Sequence, residues 1–398
     1  MDNDLLLSSV DISTKKFKIR MKTFLVTTII FFIISIVFIS LYIYEKNKED
    51  DKDNTPDKDN TPDKDNTPDK DDESEKLLTF WKENEENGPK YKLINYIKTI
   101  TNETSKDFIK KEDRIAVFDF DGTLFQETDP VYTDYKLFKY RVLDDLDYFQ
   151  IASEEQKEIA HLIEEIFTSH NYSDALDKRV SRESAKLFYN MTVDDYYLYI
   201  KKFASQPSYG FNNLTLGEAF YKPMLQVIEY LQKNEFTVYV VSGSDRFLVR
   251  ALIDGHINIP NENIIGTEVS IIASHQGKTD GLDYIFTKED ELIFNGTLIG
   301  KNLNMNKVYN IIKEIGKIPI LSFGNSGGDS SMANYVLSNE KYKTMAFMLL
   351  CDDLERENGN LEKAKSMKES CEINNWVPVS MKNDWTTIYG PNVTKKNN

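Results

Sequence analysis

Apolar and polar positions divide the chain into three regimes. Thr23 to Tyr44 is an uncharged run of Ile, Phe, Val and Leu with scattered Thr and Ser. It is long enough to cross a hydrocarbon core of ~30 Å and has no polar face, so it predicts a transmembrane helix. From Asp51 the pattern inverts: the hexapeptide Asp-Lys-Asp-Asn-Thr-Pro occupies 51–56, 57–62 and 63–68 and trails into Asp72. With nothing apolar to bury and a proline every sixth position, this stretch predicts an extended, solvated stalk. Beyond about Leu77 the pattern becomes that of a folded domain. Ile115 to Phe118, Thr237 to Val241 and Ile318 to Phe323 are short apolar runs, each followed by small or acidic residues, as in buried parallel strands with loops at their carboxyl ends. Helical spacing lies between them. Ile159, Leu162, Ile163 and Ile166 follow a Ser153-x-x-Gln156 capping box, and Met224, Leu225, Ile228 and Leu231 follow Pro223 at a first-turn position. Alternating strands and helices give an α/β sheet whose ligands sit beyond the strand carboxyl ends.

Charge sharpens this picture at two points. A formal net charge of −16 and a pI near 4.9 set nucleic acid aside as a partner, because phosphate backbones are bound by basic surfaces. Lys15, Lys16, Lys18, Arg20 and Lys22 precede the apolar run, which keeps the N-terminus cytoplasmic and places the folded domain outside. The run offers no small-x-small cleavage site, so it reads as an uncleaved signal anchor. The two cysteines, Cys351 and Cys371, exclude a disulfide scaffold and leave one disulfide open.

The chemistry concentrates at the strand ends. Asp119-Phe-Asp121-Gly-Thr-Leu124 follows the first run directly. Carboxylates two residues apart leave a strand on the same side, so one can attack while the other gives or takes a proton, with a cation between them offsetting their repulsion. The second run ends in Ser242-Gly243, where a hydroxyl and backbone amides opening a helix can hold phosphate oxygens. Lys307 opens another amphipathic stretch, with Lys301 as its rival. The third run leads into Gly324-Asn325-Ser-Gly-Gly-Asp329.

In this order the four motifs resemble those of the haloacid dehalogenase (HAD) superfamily, and the Gly-Asn-Ser form is similar to its phosphoserine-phosphatase-like branch. The resemblance spans roughly 79 to 390. It implies a Rossmann-like core with a parallel sheet, about 79–126 and 223–398, interrupted by a helical cap at about 127–222. The whole chain then reads as a basic tail (1–22), the anchor (23–44), the stalk (45–78) and the hydrolase domain (79–398). The resemblance further implies a Mg²⁺ ion held by Asp119, the Asp121 carbonyl and the Asn325 to Asp329 loop. Asp119 would be the nucleophile forming an aspartyl phosphate, Asp121 the acid and base, and Ser242, Gly243 and Lys307 the holders of the phosphate. The sequence departs from the commonest pattern at Asn325, where the superfamily has Asp. The lost charge predicts weak Mg²⁺ binding, with Asp329 mattering more than Asn325. The expected substrate is a small phosphomonoester, with a phosphotransferase or a non-catalytic surface-anchored binding protein as alternatives. The stretches at 351–357 and 376–385 are expected to be surface charge pairs on a helix and an edge strand.

Overall fold

The computed structural model describes residues 77–83, 86–169 and 173–396. The basic tail, the anchor and the stalk up to residue 76 lie outside the described residues. Among the described residues no helix is long and apolar enough to cross a membrane.

After helix α1 (Pro89–Thr101), strand β1 (Ile115–Phe118) enters the centre of the molecule. A helical segment follows: α2 (Thr133–Lys139), α3 (Glu154–Ser169), α4 (Asp174–Leu187) and α5 (Val193–Ala204). The chain returns through β2 (Phe211–Asn212) and α6 (Lys222–Lys233) to β3 (Thr237–Asp245), α7 (Arg246–Ile253) and a long hairpin of β4 (Ile264–Ala273) and β5 (Leu292–Gly300). Then come α8 (Met305–Glu314), β6 (Leu321–Gly324), α9 (Ser330–Leu337), β7 (Met345–Leu350), α10 (Leu361–Asn374), β8 (Val377–Ser380) and β9 (Thr394–Lys395). The sheet runs β5-β4-β3-β1-β6-β7-β8, parallel throughout except for the β4–β5 pair. This is the expected α/β fold with a mostly parallel sheet.

The sequence signals act where they fall. Gln156 N donates to Ser153 Oγ, and the Gln156 side chain accepts from Ser153 N at 3.1 Å, so the capping box opens α3. Pro223 stands in the first turn of α6, where its missing N–H costs nothing. All four β1 side chains are buried, as a central strand covered on both faces requires. Phe118 stacks on Phe323 of β6 at 4.4 Å, and Phe323 stacks on Phe347 of β7 at 4.9 Å. This aromatic ladder ties the three strands; truncating such a buried Phe costs about 3–5 kcal/mol.

The inserted helices stand on a pinned base. Asp129, fully buried where the chain leaves the core, accepts from Ser208 Oγ (2.6 Å), Tyr209 N (3.0 Å) and Gly210 N (2.6 Å), where the chain comes back. Return strand β2 pairs with β9 and Gln126 N donates to Ala219 O, while Tyr209 packs on Phe167 of α3 at 5.2 Å and Gly217 N donates to Ala204 O of α5, so the returning segment joins cap and core. The β4–β5 hairpin joins the cap from the other side, with Asn190 N to Phe294 O at 2.8 Å and Phe294 N to Met191 O at 3.0 Å.

Two expectations need correction. Residues 351–360 form a loop, not a helix, and two of their charges, Asp353 and Glu357, are buried while Glu355 stays exposed. Asp353 and Glu357 are each 2% exposed, and Arg356 bonds Asp353 at 2.6 Å while donating to the Met381 and Trp385 carbonyls. An acidic run reads as solvated, but burial with a bonded guanidinium overrides that composition. The edge strand at 377–380 is present as β8. Cys351 and Cys371 are both free thiols.

Candidate active site

β1 lies between β3 and β6 and runs parallel to both, with Phe118 opposite Val240 on one side and Phe323 on the other. Their carboxyl ends therefore reach one edge together. Sequence segments far apart in the chain meet there in a cleft of about 410 Å³ lined by Asp119, Asp121, Lys307, Asn325 and Asp329 on its floor.

The first turn after β1 is fixed by its glycine. Gly122 has φ +77°, and a Cβ there would lie 1.9 Å from Asn325 Nδ2, so only glycine lets the two strand-end loops approach. Gly122 N donates to Phe125 O, and Phe120 stacks on Phe125 at 4.9 Å beneath the turn. Asp119 N donates to Phe323 O, continuing the ladder by one residue and holding the Asp119 side chain over the cleft.

Lys307, 1% exposed in the first turn of α8, bridges two carboxylates: Nζ is 2.5 Å from Asp119 Oδ1 and 2.6 Å from Asp329 Oδ1. Burial and the Asp329 charge push the Asp119 carboxyl up to about 8, against the opposing pull of Lys307. The two carboxylates in turn hold the ammonium well above its ordinary value despite burial. Removing one member of such a buried cluster costs about 3–5 kcal/mol because it strands the others. Lys301, the rival lysine, points elsewhere and pairs with Asp177 at 3.0 Å and Ser181 at 2.8 Å on the cap helix α4.

Asp121 accepts from Ser244 Oγ at 2.6 Å, and burial raises its carboxyl to about 7. Ser242 is fully buried; its Oγ accepts from Ser244 N, and its carbonyl accepts from Asn302 Nδ2. Gly243 and Ser244, rather than Ser242, line the cleft. The Gly243 carbonyl is held by Thr267 Oγ1 at 2.6 Å.

The two candidate ligands of the third loop are in unlike positions. Asp329 spends Oδ1 on Lys307 and Oδ2 on Asn325 N, Ser326 N and Ser326 Oγ, at 3.0–3.1 Å, so it knots its own loop. Asn325 Oδ1 is buried and has no hydrogen-bond partner. A buried oxygen without a donor calls for one, or for a cation. Among the described residues no cluster of three His, Cys, Asp or Glu could hold a metal. The available donor set is mixed: Asp119, the Asp121 carbonyl and the Asn325 amide oxygen. All are oxygens, the donors that a hard cation such as Mg²⁺ takes.

Four wall residues carry no expectation from the sequence, Ser244, Glu127, Asp134 and Asp177; they line the cleft beside Lys301, which the sequence offers only as the rival of Lys307. Ser244 stands two residues after the recognised serine and could have been found there. The cap residues carry no local signal.

No family model matches the chain. No curated protein matches it either. Among solved structures it is similar to a conserved protein of unknown function from Anaerococcus prevotii DSM 20548, at 15% identity over 76% of this chain and 94% of that one, TM-score 0.45. It is similar to a phosphoserine phosphohydrolase-like protein from Francisella tularensis subsp. tularensis SCHU S4, at 17% identity, 68% and 95% coverage and TM-score 0.35. A HAD hydrolase of family IA from Entamoeba histolytica HM-1:IMSS matches at 13% identity, 67% and 92% coverage and TM-score 0.29. At such values the likenesses carry no weight for the chemistry, which rests on the site.

Proposed function

We propose that the chain is a HAD-type, Mg²⁺-dependent phosphomonoester hydrolase working through an aspartyl phosphate on Asp119. The observation that carries this reading is the convergence of three strand ends and one helix on a single point, with Lys307 bridging Asp119 and Asp329 beside Asp121. A binding protein has no use for a second carboxylate poised beside the first.

Asp119, Asp121 through its carbonyl, and Asn325 through Oδ1 would hold the Mg²⁺ ion, which supplies charge neutralisation and orientation of the phosphate when bound. The Asp119 carboxylate attacks phosphorus in line, and the ester oxygen leaves. Asp121, whose carboxyl is pushed up to about 7 by burial so that a proton is available near neutral pH, gives that proton to the leaving alkoxide and then takes one from the water that hydrolyses the acyl phosphate. Lys307 and the amides of the Gly243 loop offset the charge on the transferring oxygens. With the oxygens of Asp329 already occupied, the roles expected of Asn325 and Asp329 reverse: Asn325 is the ligand, and Asp329 positions Lys307.

The cap residues Glu127, Tyr132, Asp134, Tyr135, Ser173 and Asp177 wall a cleft suited to a small phosphomonoester. The anchor and stalk would tether the domain on the extracytoplasmic side of a membrane with the N-terminus inside. Protease added to intact cells should release a fragment beginning between residues 45 and 78, and full protection would contradict that topology. Turnover of a generic aryl phosphate, dependent on added Mg²⁺ and lost in Asp119→Asn, tests the activity.

A further inference from the structure

The wall of the cleft carries an unbalanced charge. Its lining includes six carboxylates against two lysines, an excess of four formal negative charges, before any phosphate enters. Away from the floor, two of the three wall carboxylates have cations: Asp177 has Lys301 at 3.0 Å, and Glu127 has Lys363 at 3.7 Å. The third, Asp134 on α2, has no ion-pair partner within 4.0 Å among the described residues; its carboxylate accepts the Tyr135 backbone amide at 2.9 Å, and Lys301 is the cation that most favours its charged form. Burial raises its carboxyl.

Asp134 lines both the cleft and a neighbouring cavity of about 70 Å³, which also share Gly243 and Lys301. This side cavity is lined by Leu137, Phe188, Tyr196, Asp245, Phe294 and Leu298. The rings form a cluster, with Phe188 and Tyr196 at 4.7 Å and Tyr196 and Phe294 at 4.8 Å. Asp245 caps α7 through Oδ1, but its Oδ2 is shut off from solvent without a hydrogen-bond partner, and burial lifts the carboxyl to about 6. At about 15 Å³ for each water-sized occupant, the cavity takes roughly five heavy atoms. An apolar, aromatic-walled space of that size, with two carboxylates that have no ion-pair partner among the described residues, fits an ammonium group and disfavours a carboxylate or a second phosphate.

We propose that the cleft selects phosphomonoesters of a cationic alcohol, aminoalkyl or trimethylammonioalkyl phosphates, with the phosphate on the Asp119–Lys307 floor and the ammonium beside Asp134 in the side cavity. This specificity rests on the phosphatase reading above and extends it to the leaving group. Lys301 lines both cavities, but Asp177 already neutralises it.

The test uses two esters of one shape: trimethylammonioethyl phosphate and its uncharged isostere, 3,3-dimethylbutyl phosphate. They are compared by kcat/KM and, independently of turnover, by calorimetric Kd on the full chain with Mg²⁺. The wild type should favour the cation by roughly 10- to 100-fold, a ratio set by burying one charge against carboxylate and rings. In Asp134→Asn the ratio should fall to within about threefold; because both esters meet the same variant, a general loss of fold or activity does not move it. A ratio near one in the wild type, or one unchanged in Asp134→Asn, would overturn the proposal. If neither these esters nor an aryl phosphate turned over, the hydrolase reading would fail, while the Kd ratio would still decide this one.

Discussion

On the floor of the cleft each carboxylate has a side-chain partner within 2.6 Å, whereas Asp134 on the wall has no ion pair among the described residues and Asp245 in the side cavity keeps one oxygen unbonded. The floor is assembled by adjacent parallel strands, so its residues are held by the ladder itself. The wall is assembled from α2, α4 and the β4–β5 hairpin, elements distant in sequence. Rigid, mutually neutralised groups suit chemistry that is the same for every substrate, and charges left open suit recognition of a particular one. Substitutions can separate the two regions.

The largest effect should come from the floor. Asp119→Asn keeps the side-chain shape and removes the nucleophile, and steady-state kcat should drop by roughly 10⁴-fold or more, while circular dichroism stays unchanged. Gly122→Ala should come next. With φ +77° and an amide nitrogen 1.9 Å from the new methyl, the Asn325 loop must move, at a cost of about 3 kcal/mol in stability by denaturant titration and with a raised Mg²⁺ requirement. A neutral effect would mean that the two loops do not meet as described.

A third test lies below both regions, at Glu357. Burial raises its carboxyl from the ordinary 4.5 to about 7, with the Tyr389 hydroxyl opposing. A raised value in the folded state favours the protonated form, so this stability is complete below the unfolded value and is lost as pH rises through about 7. The loss is about 3 kcal/mol at most. Glu357→Gln should therefore flatten the decline of Tm between roughly pH 5 and 8; an unchanged slope would place the titration elsewhere. The smallest effect should be Asn325→Asp, which adds a charge to the donor set and should lower the Mg²⁺ needed for half-maximal turnover about tenfold. If Asp329→Ala raised that requirement more than Asn325→Ala, the reversal proposed for these two residues would be wrong.

The same division governs what the sequence made legible. β1, β3 and β6 are continuous apolar runs closed by small or acidic residues, as buried parallel strands are, and Asp119, Asp121, Asn325 and Asp329 follow from their ends; Lys307, in a helix, is picked out by the family resemblance alone. Ser242 was the visible serine, yet its hydroxyl accepts from Ser244 N and the cleft takes Ser244, where the register of β3 against β4 shifts between Val241 and Asp245. The β4–β5 hairpin mixes exposed and buried positions without clean alternation, and its partner Met191 lies in the cap, so no local pattern announces it. Arg356 and Asp353 read as surface charges because their burial depends on Met381 and Trp385, which pack over them from the chain end.

The central claim is a covalent phosphate on Asp119. Rapid acid quench of the full chain turning over an aryl phosphate with Mg²⁺, followed by proteolysis and peptide mass spectrometry, should find one phosphoryl group on the peptide containing Ile115 to Phe125, fragmenting to Asp119 and absent in Asp119→Asn. A phosphoryl group on another residue, or sustained turnover by Asp119→Asn without any, would contradict it.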